Sequence, residues 1–216
     1  MDSRQRTLLG VGLAALTAGV GIAFRNQLPA QVAIHFGPSG YPDNWVAKPI
    51  ALALLPVLQV VMVGFFAAIP RIDPLGENIR EFRQAYNAFV LLIIGFLGYV
   101  HTLLIVWNAG YNFAMSQALV PAVAVLYYVA GTVMEHAEQN WFIGIRTPWT
   151  LSNEQVWAHT HSLAGTLMKV VAVVALGGLL FPSYAVAFLA VPAALVAAIA
   201  TIYSYWDYRH TTRHST

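Results

Sequence analysis

Hydrophobic positions along the chain fall into six blocks separated by polar stretches. Residues 7–24, 49–69, 88–107, 117–134 and 185–206 contain no Asp, Glu, Lys or Arg, and residues 163–181 contain a single one, Lys169. Each block is about twenty residues long, the number that carries an α-helix across a hydrocarbon core of roughly 30 Å. Backbone amides inside lipid need internal partners, and barrel strands would alternate apolar and polar positions over shorter runs. The unbroken blocks therefore predict an all-α fold, a polytopic membrane helix bundle with six transmembrane helices. Arg4 and Arg6 precede the first block as they would in a signal peptide. That block is long and no small-x-small cleavage site follows it, so it is expected to be a retained helix.

Composition agrees and narrows the function classes. Of 216 residues, 58% are hydrophobic and 9% are Asp, Glu, Lys or Arg, against roughly 25% charged in a soluble domain. A net charge of +2 gives no footprint for nucleic acid. With no cysteine, disulfides, thiol nucleophiles and thiolate metal sites are excluded. The placement of the few charges says more than their total. With the N-terminus in the cytoplasm, Arg4, Arg6, Arg71, Arg80, Arg83, Arg146, Arg209 and Arg213 lie inside, and Arg25 and Lys48 outside. Basic residues concentrate on the cytoplasmic side, so both termini are expected there. The chain then divides into 1–70 (two spans and an outer loop, 25–48), a cytoplasmic amphipathic segment, 71–87, and a four-span region, 88–216, with a cytoplasmic loop, 135–162.

Within the spans, Gly12, Ala15 and Gly19 form a small-residue face suited to close helix packing. Tyr203, Tyr205, Trp206 and Tyr208 cluster where the last span leaves the bilayer, as an interfacial aromatic belt would. After Pro74, Leu75, Ile79, Phe82 and Tyr86 share one helical face flanked by Arg80 and Arg83, the pattern of a short helix on the inner leaflet.

The outer loop and the second inner loop carry the candidate chemistry. Outside, Gly37, Pro38, Gly40 and Pro42 impose turns at short intervals, and His35, Phe36, Tyr41, Asp43 and Trp45 gather ionisable and aromatic groups on a stiffened backbone. Inside, Ser152 followed by Gln155 reads as a capping box, so a helix is expected to start near Asn153. Thr147, Pro148, Trp149 and Thr150 form the turn before it, since Pro148 biases Thr147 away from helix. Trp157 and His161 share a face with Gly165 and Met168, while His159 points elsewhere. Arg146 is expected to pair with Glu138 or Glu154, or to stack on an indole. Lys169 is a charge inside a span, either snorkelling to the surface or paired in a polar pocket, and His101 is a weaker polar case.

The outer IHFGPSGYPDNWVAK resembles the N-terminal domain of unknown function DUF1648 found in SdpI-like proteins. NWFIGIRTPWTLSNEQVWAHTHSLAG resembles the SdpI signature, and IDP, ENI and AYN at 72–74, 77–79 and 85–87 agree with it. The matched positions are His35, Phe36, Gly40, Pro42 and Asp43 outside, then residues 144–151 from Gly144 to Leu151, with Trp157, Thr160 and His161, inside. Gly37, Thr132, Glu135 and Glu138 depart from the family pattern, and the two glutamates make the approach to the signature acidic. The resemblance implies a multi-pass cell-membrane protein of a bacterium or archaeon. It also implies immunity to a membrane-active peptide toxin, with tethering of a cytoplasmic repressor as a further role.

The expected ligand- and partner-binding residues are thus His35, Phe36, Gly40, Pro42, Asp43, Trp45, Gly144, Arg146, Thr147, Pro148, Trp149, Trp157, His161 and Lys169. The partners are the lipid bilayer, a peptide toxin on the outer face and a cytoplasmic regulator. No cofactor, metal or catalysis is expected. Glu135, His136, Glu138, His159 and His161 lack H-E-x-x-H spacing, and on a helix His159 and His161 diverge by about 200°. No nucleophile elbow, P-loop or dinucleotide fingerprint occurs. A small transporter for an amphipathic molecule is the alternative, resting on Lys169 and His101 but lacking a visible repeat of the first three spans in the last three.

Overall fold

The computed structural model describes residues 1–37 and 40–213; Pro38, one of the turn residues read from the sequence, lies outside them. In chain order the elements are α1 (Ser3–Phe24), β1 (Gln31–Phe36), β2 (Pro42–Ala47), α2 (Lys48–Ile72), α3 (Gly76–Glu81), α4 (Arg83–Asn108) and α5 (Met115–His136). They continue with α6 (Pro148–Ser152), α7 (Glu154–Ala175), α8 (Gly177–Leu180), a 3₁₀ turn (Pro182–Tyr184) and α9 (Ala185–Arg213). Among the described residues six helical segments are long and apolar enough to cross a membrane, α7 continuing through α8 as one of them. The chain is a multi-pass membrane protein.

The spans pack as two three-helix groups. α1 lies against α2 and α4, α5 against α7, and α7 against α9, with α4 and α5 joining the groups. The starts of α1, α4 and α7 share one end of the bundle, here called the N-terminal end, with the loop before α7. The hairpin β1–β2 caps the other end. α5 and α7 form the largest helix pair, and two glycines explain their approach. A Cβ on Gly131 would lie 2.5 Å from the Gly165 carbonyl oxygen, and one on Gly165 would lie 2.6 Å from that of Gly131. Dispersion between closely apposed backbones replaces the hydrophobic drive that is missing inside lipid.

Two expected faces are placed differently. On α1 the buried stripe is Gly10, Ala14, Thr17 and Gly21, whereas Gly12 and Gly19 have open space where a side chain would stand and Ala15 is exposed. Two small-residue stripes share this helix, and the one at Gly10 meets Val63 of α2. The stripe of 75–86 is divided between two helices, α3 and the start of α4, which meet at Phe82, and it faces inward. Ile79, Phe82 and Tyr86 are 1%, 5% and 1% exposed and join a core with Phe66, Val90 and Trp157. The Tyr86 hydroxyl donates to the Phe66 carbonyl oxygen at 2.6 Å. Because α3 is only six residues long and α4 starts at Arg83, the apolar face runs directly into the bundle and is not spread on the leaflet.

Candidate functional site

At the hairpin end, two antiparallel strands flank Gly37 and Gly40, and Pro42 opens the second strand. Val32 pairs with Val46, Ala33 with Trp45, His35 with Asn44 and Phe36 with Pro42, with register irregularities on either side of His35. The base of the hairpin is anchored. Leu28 and Val32 pack with Ala51 and Ile105, and the Asn108 amide donates to the Ala33 carbonyl while its oxygen accepts the Ala33 N–H, both at 2.9 Å. Phe36 meets the edge of Trp107 with ring centroids 4.8 Å apart.

The tip presents its chemistry outward. His35 Nδ1 lies 2.5 Å from Asp43 Oδ1, and both side chains are more than half exposed. Tyr41 and Trp45 beside them are 74% and 50% exposed. Gly40 takes φ +80°, a conformation open to glycine at no steric cost. The hairpin thus brings together residues eight apart in sequence into one exposed aromatic and ionisable surface.

At the N-terminal end, the loop between α5 and α7 is held by side chains that spend their polar atoms on it. Asn140, fully buried, donates to the carbonyls of Glu138 and Ile143 and accepts the N–H groups of Phe142 and Ile143. Asp73, at the end of α2, accepts from Leu75 and Trp141 N–H. Trp157 Nε1 donates to the Ala137 carbonyl at 2.6 Å. His161 stacks on Trp157 with ring centroids 3.9 Å apart. Its Nε2 accepts the Ile145 N–H at 2.9 Å, and Nδ1 faces the Trp157 carbonyl at 2.8 Å. That network assigns a neutral imidazole with its proton on Nδ1. Gly144 crosses over this ring at φ +109°, where a Cβ would stand 2.2 Å from His161 Nε2.

The capping chemistry is displaced from its expected place. α6 is a helical turn, begun by Pro148 and capped by Thr147, whose hydroxyl accepts the Thr150 N–H. Thr150, fully buried, donates to the Ile145 carbonyl at 2.7 Å. α7 is capped by Asn153, which accepts from Gln155 and Val156, while the Ser152 hydroxyl donates to the Trp149 carbonyl. Asn153, one residue beyond Ser152, takes the cap, its side-chain oxygen accepting the N–H groups at N2 and N3. Arg146 is exposed and donates to the Trp141 carbonyl at 2.8 Å, and no ion pair joins it to Glu138 or Glu154 among the described residues. Trp149 packs on Tyr205 of α9 at 5.0 Å, and Thr147 Oγ1 meets Ser204 Oγ at 3.2 Å. Of the expected inner residues, then, Gly144, Thr147, Trp157 and His161 shape the loop, and Arg146 with Pro148 faces outward.

Next to the Trp157–His161 stack is a cavity of about 230 Å³ lined by Glu81, Glu135, Glu138 and Glu154. His159 points away from it to Asp207, 3.0 Å distant. Among the described residues no three His, Asp or Glu side chains gather as a metal would require. Lys169 is paired, its ammonium donating to Glu135 across the α5–α7 crossing and lying 5.8 Å above the Tyr128 ring. Both partners retain about a quarter of their side-chain exposure. A Lys169→Met, Glu135→Gln double-mutant cycle in thermal unfolding is expected to give a coupling of about 1 kcal/mol, the scale of a partly solvated pair. Additive effects would show that the pair is not formed.

Asn140, Asp73, Thr150, Ser204 and Asn108 were not singled out as candidate site residues from the sequence. Asn140, Asp73 and Thr150 do stand inside the strings that carry the family resemblance, Thr150 as one of the matched positions. The others are small polar residues whose role appears only once the loop or strand they satisfy is placed.

These two ends define a class: a six-span bundle with an exposed hairpin on one side and a polar-latched loop on the other. Residues 12–60 match the family model for the domain of unknown function DUF1648, and residues 136–204 match that of the SdpI/YfhL protein family. The chain is an SdpI-like membrane protein. It is similar to the immunity protein SdpI of Bacillus subtilis (strain 168), with 26% identity over 206 residues, 95% of this chain and 97% of that protein. No solved structure matches.

Proposed function

We propose that this protein protects the cell that makes it against a membrane-active peptide toxin. The similarity to an immunity protein over nearly the whole of both chains carries the reading. In this arrangement both termini are cytoplasmic, as the bias of eight basic residues to two favours, and the hairpin projects from the outer face of a bacterial or archaeal plasma membrane. The exposed Tyr41, Trp45 and the His35–Asp43 pair suit contact with an amphipathic peptide arriving at the membrane surface, because aromatic groups with polar tips supply contact area at that depth. The latched loop keeps the two helix groups in register beneath it. A cytoplasmic regulator would meet the exposed Trp141 and Arg146 on the opposite side. Expression in a toxin-sensitive strain tests the reading. Survival in the presence of SDP, the secreted killing peptide that the family resemblance implies as the toxin, or of a similar peptide, should rise above that of the parent, and death at the parental rate would rule immunity out.

A further inference from the structure

The N-terminal end holds a second feature, separate from the signature loop. The start of α1, the end of α2, α3 and the start of α4 enclose a cavity of about 520 Å³ whose walls carry Arg4, Arg6, Arg71, Arg80 and Arg83 and no Asp or Glu. Concentration of basic residues on one face explains their presence in this region but not how Arg6 is held. Arg6 is only 4% exposed. Its Nη1 donates to Asn87 Oδ1 at 3.0 Å, and its guanidinium lies 5.3 Å from the centre of the Tyr86 ring. Both partners are neutral. Asn87 is itself fully buried and is oriented by a second bond to the Met1 carbonyl. Among the described residues one ion pair reaches this set, the exposed Arg80–Glu77 contact.

A buried guanidinium beside four others, with no carboxylate facing it, is costly unless an anion completes the site. Planar guanidinium forks match phosphate oxygens bidentately, and basic pockets between transmembrane helices receive anionic headgroups. The edge of the cavity decides the source of the phosphate. Leu8 and Ala67 contribute to its wall, and Leu8 and Ile72 are 63% and 57% exposed on the bundle surface, an apolar route for acyl chains leaving a headgroup held among the arginines.

We propose that this cavity binds the phosphate group of an anionic phospholipid from the leaflet at the N-terminal end of the bundle. The site fastens α1 to the α3–α4 corner and makes the packing of the first three spans depend on lipid charge. The proposal is independent of toxin resistance.

The test uses the full chain in micelles supplied with equal amounts of phosphatidylglycerol and phosphatidylcholine, with bound lipid read by native mass spectrometry. Phosphatidylglycerol should be retained preferentially. Arg6→Gln can fail to fold, so the decisive variant is the double substitution R4Q/R83Q at two exposed positions. It should leave the unfolding temperature in lipid-free micelles unchanged and weaken phosphatidylglycerol retention by about fivefold for each arginine removed, the scale of one basic residue at an anionic membrane surface. A parallel arm adds glycerol 3-phosphate in place of lipid. Equal retention of the two lipids, or selectivity undiminished in R4Q/R83Q, overturns the proposal. Stabilisation by glycerol 3-phosphate without selective lipid retention overturns the lipid as the source.

Discussion

Replacing Gly144 by valine is expected to lower stability by about 3 kcal/mol or more, since a branched residue at positive φ is strained and the added side chain collides with a ring that has no room to move. The backbone there lies at φ +109°, and the first added carbon falls 2.2 Å from His161 Nε2. His161 cannot retreat, because it is stacked on Trp157 and holds the Ile145 N–H. Unfolding followed by tryptophan fluorescence should show a lower midpoint, and limited proteolysis should cut the 137–147 loop at a dose that spares the parent protein. Gly40→Ala is the control. Gly40 also has positive φ, but open space surrounds the site, so only the backbone penalty of about 1 kcal/mol should appear. Equal effects of the two substitutions would mean that the Gly144–His161 contact does not organise the loop.

Removing the Trp157 ring is expected to cost about 3–5 kcal/mol, the range for a large aromatic cut from a packed core. Trp157 is 2% exposed and joins the core of α2, α4 and α5, so its loss also frees His161 and leaves the Ala137 carbonyl without its indole donor. Trp157→Phe separates these contributions. It keeps most of the ring and should lose about 1–3 kcal/mol, the cost of leaving a buried acceptor unsatisfied. A Trp157→Ala protein that unfolds with the parental midpoint would place this side chain outside the core.

The spans were legible because lipid accepts only long unbroken apolar helices, a constraint strong enough to be read from spacing alone. Which face of a span turns inward was less legible. Lipid tails and protein interior are equally apolar, so Gly12, Ala15 and Gly19 looked as good a seam as the stripe at Gly10, Ala14, Thr17 and Gly21 that is used. The same ambiguity sent the stripe through Ile79, Phe82 and Tyr86 to the leaflet in the sequence reading and to the core in the structure. The hairpin strands escaped notice because they are six residues each, with Val32 and Ala33 buried in succession instead of alternating. The shared face of Trp157 and His161 was readable from four-residue spacing. The partners of Arg146, Lys169 and His159 were not, because the Trp141 carbonyl meets Arg146 only through the path of the loop, and Glu135 and Asp207 reach Lys169 and His159 through tertiary packing.

This division of labour, a signature loop consumed in holding the bundle together and a hairpin that leaves its chemistry exposed, has a direct test in a toxin-sensitive strain. The parent protein is compared with a variant carrying Tyr41→Ala, Asp43→Ala and Trp45→Ala. Exposed substitutions of this kind change stability by about 0.5 kcal/mol or less each, so membrane abundance and unfolding midpoint should match the parent. Survival under SDP-like peptide should nonetheless fall to that of cells lacking the protein. Full protection by the folded hairpin variant would contradict recognition at this surface.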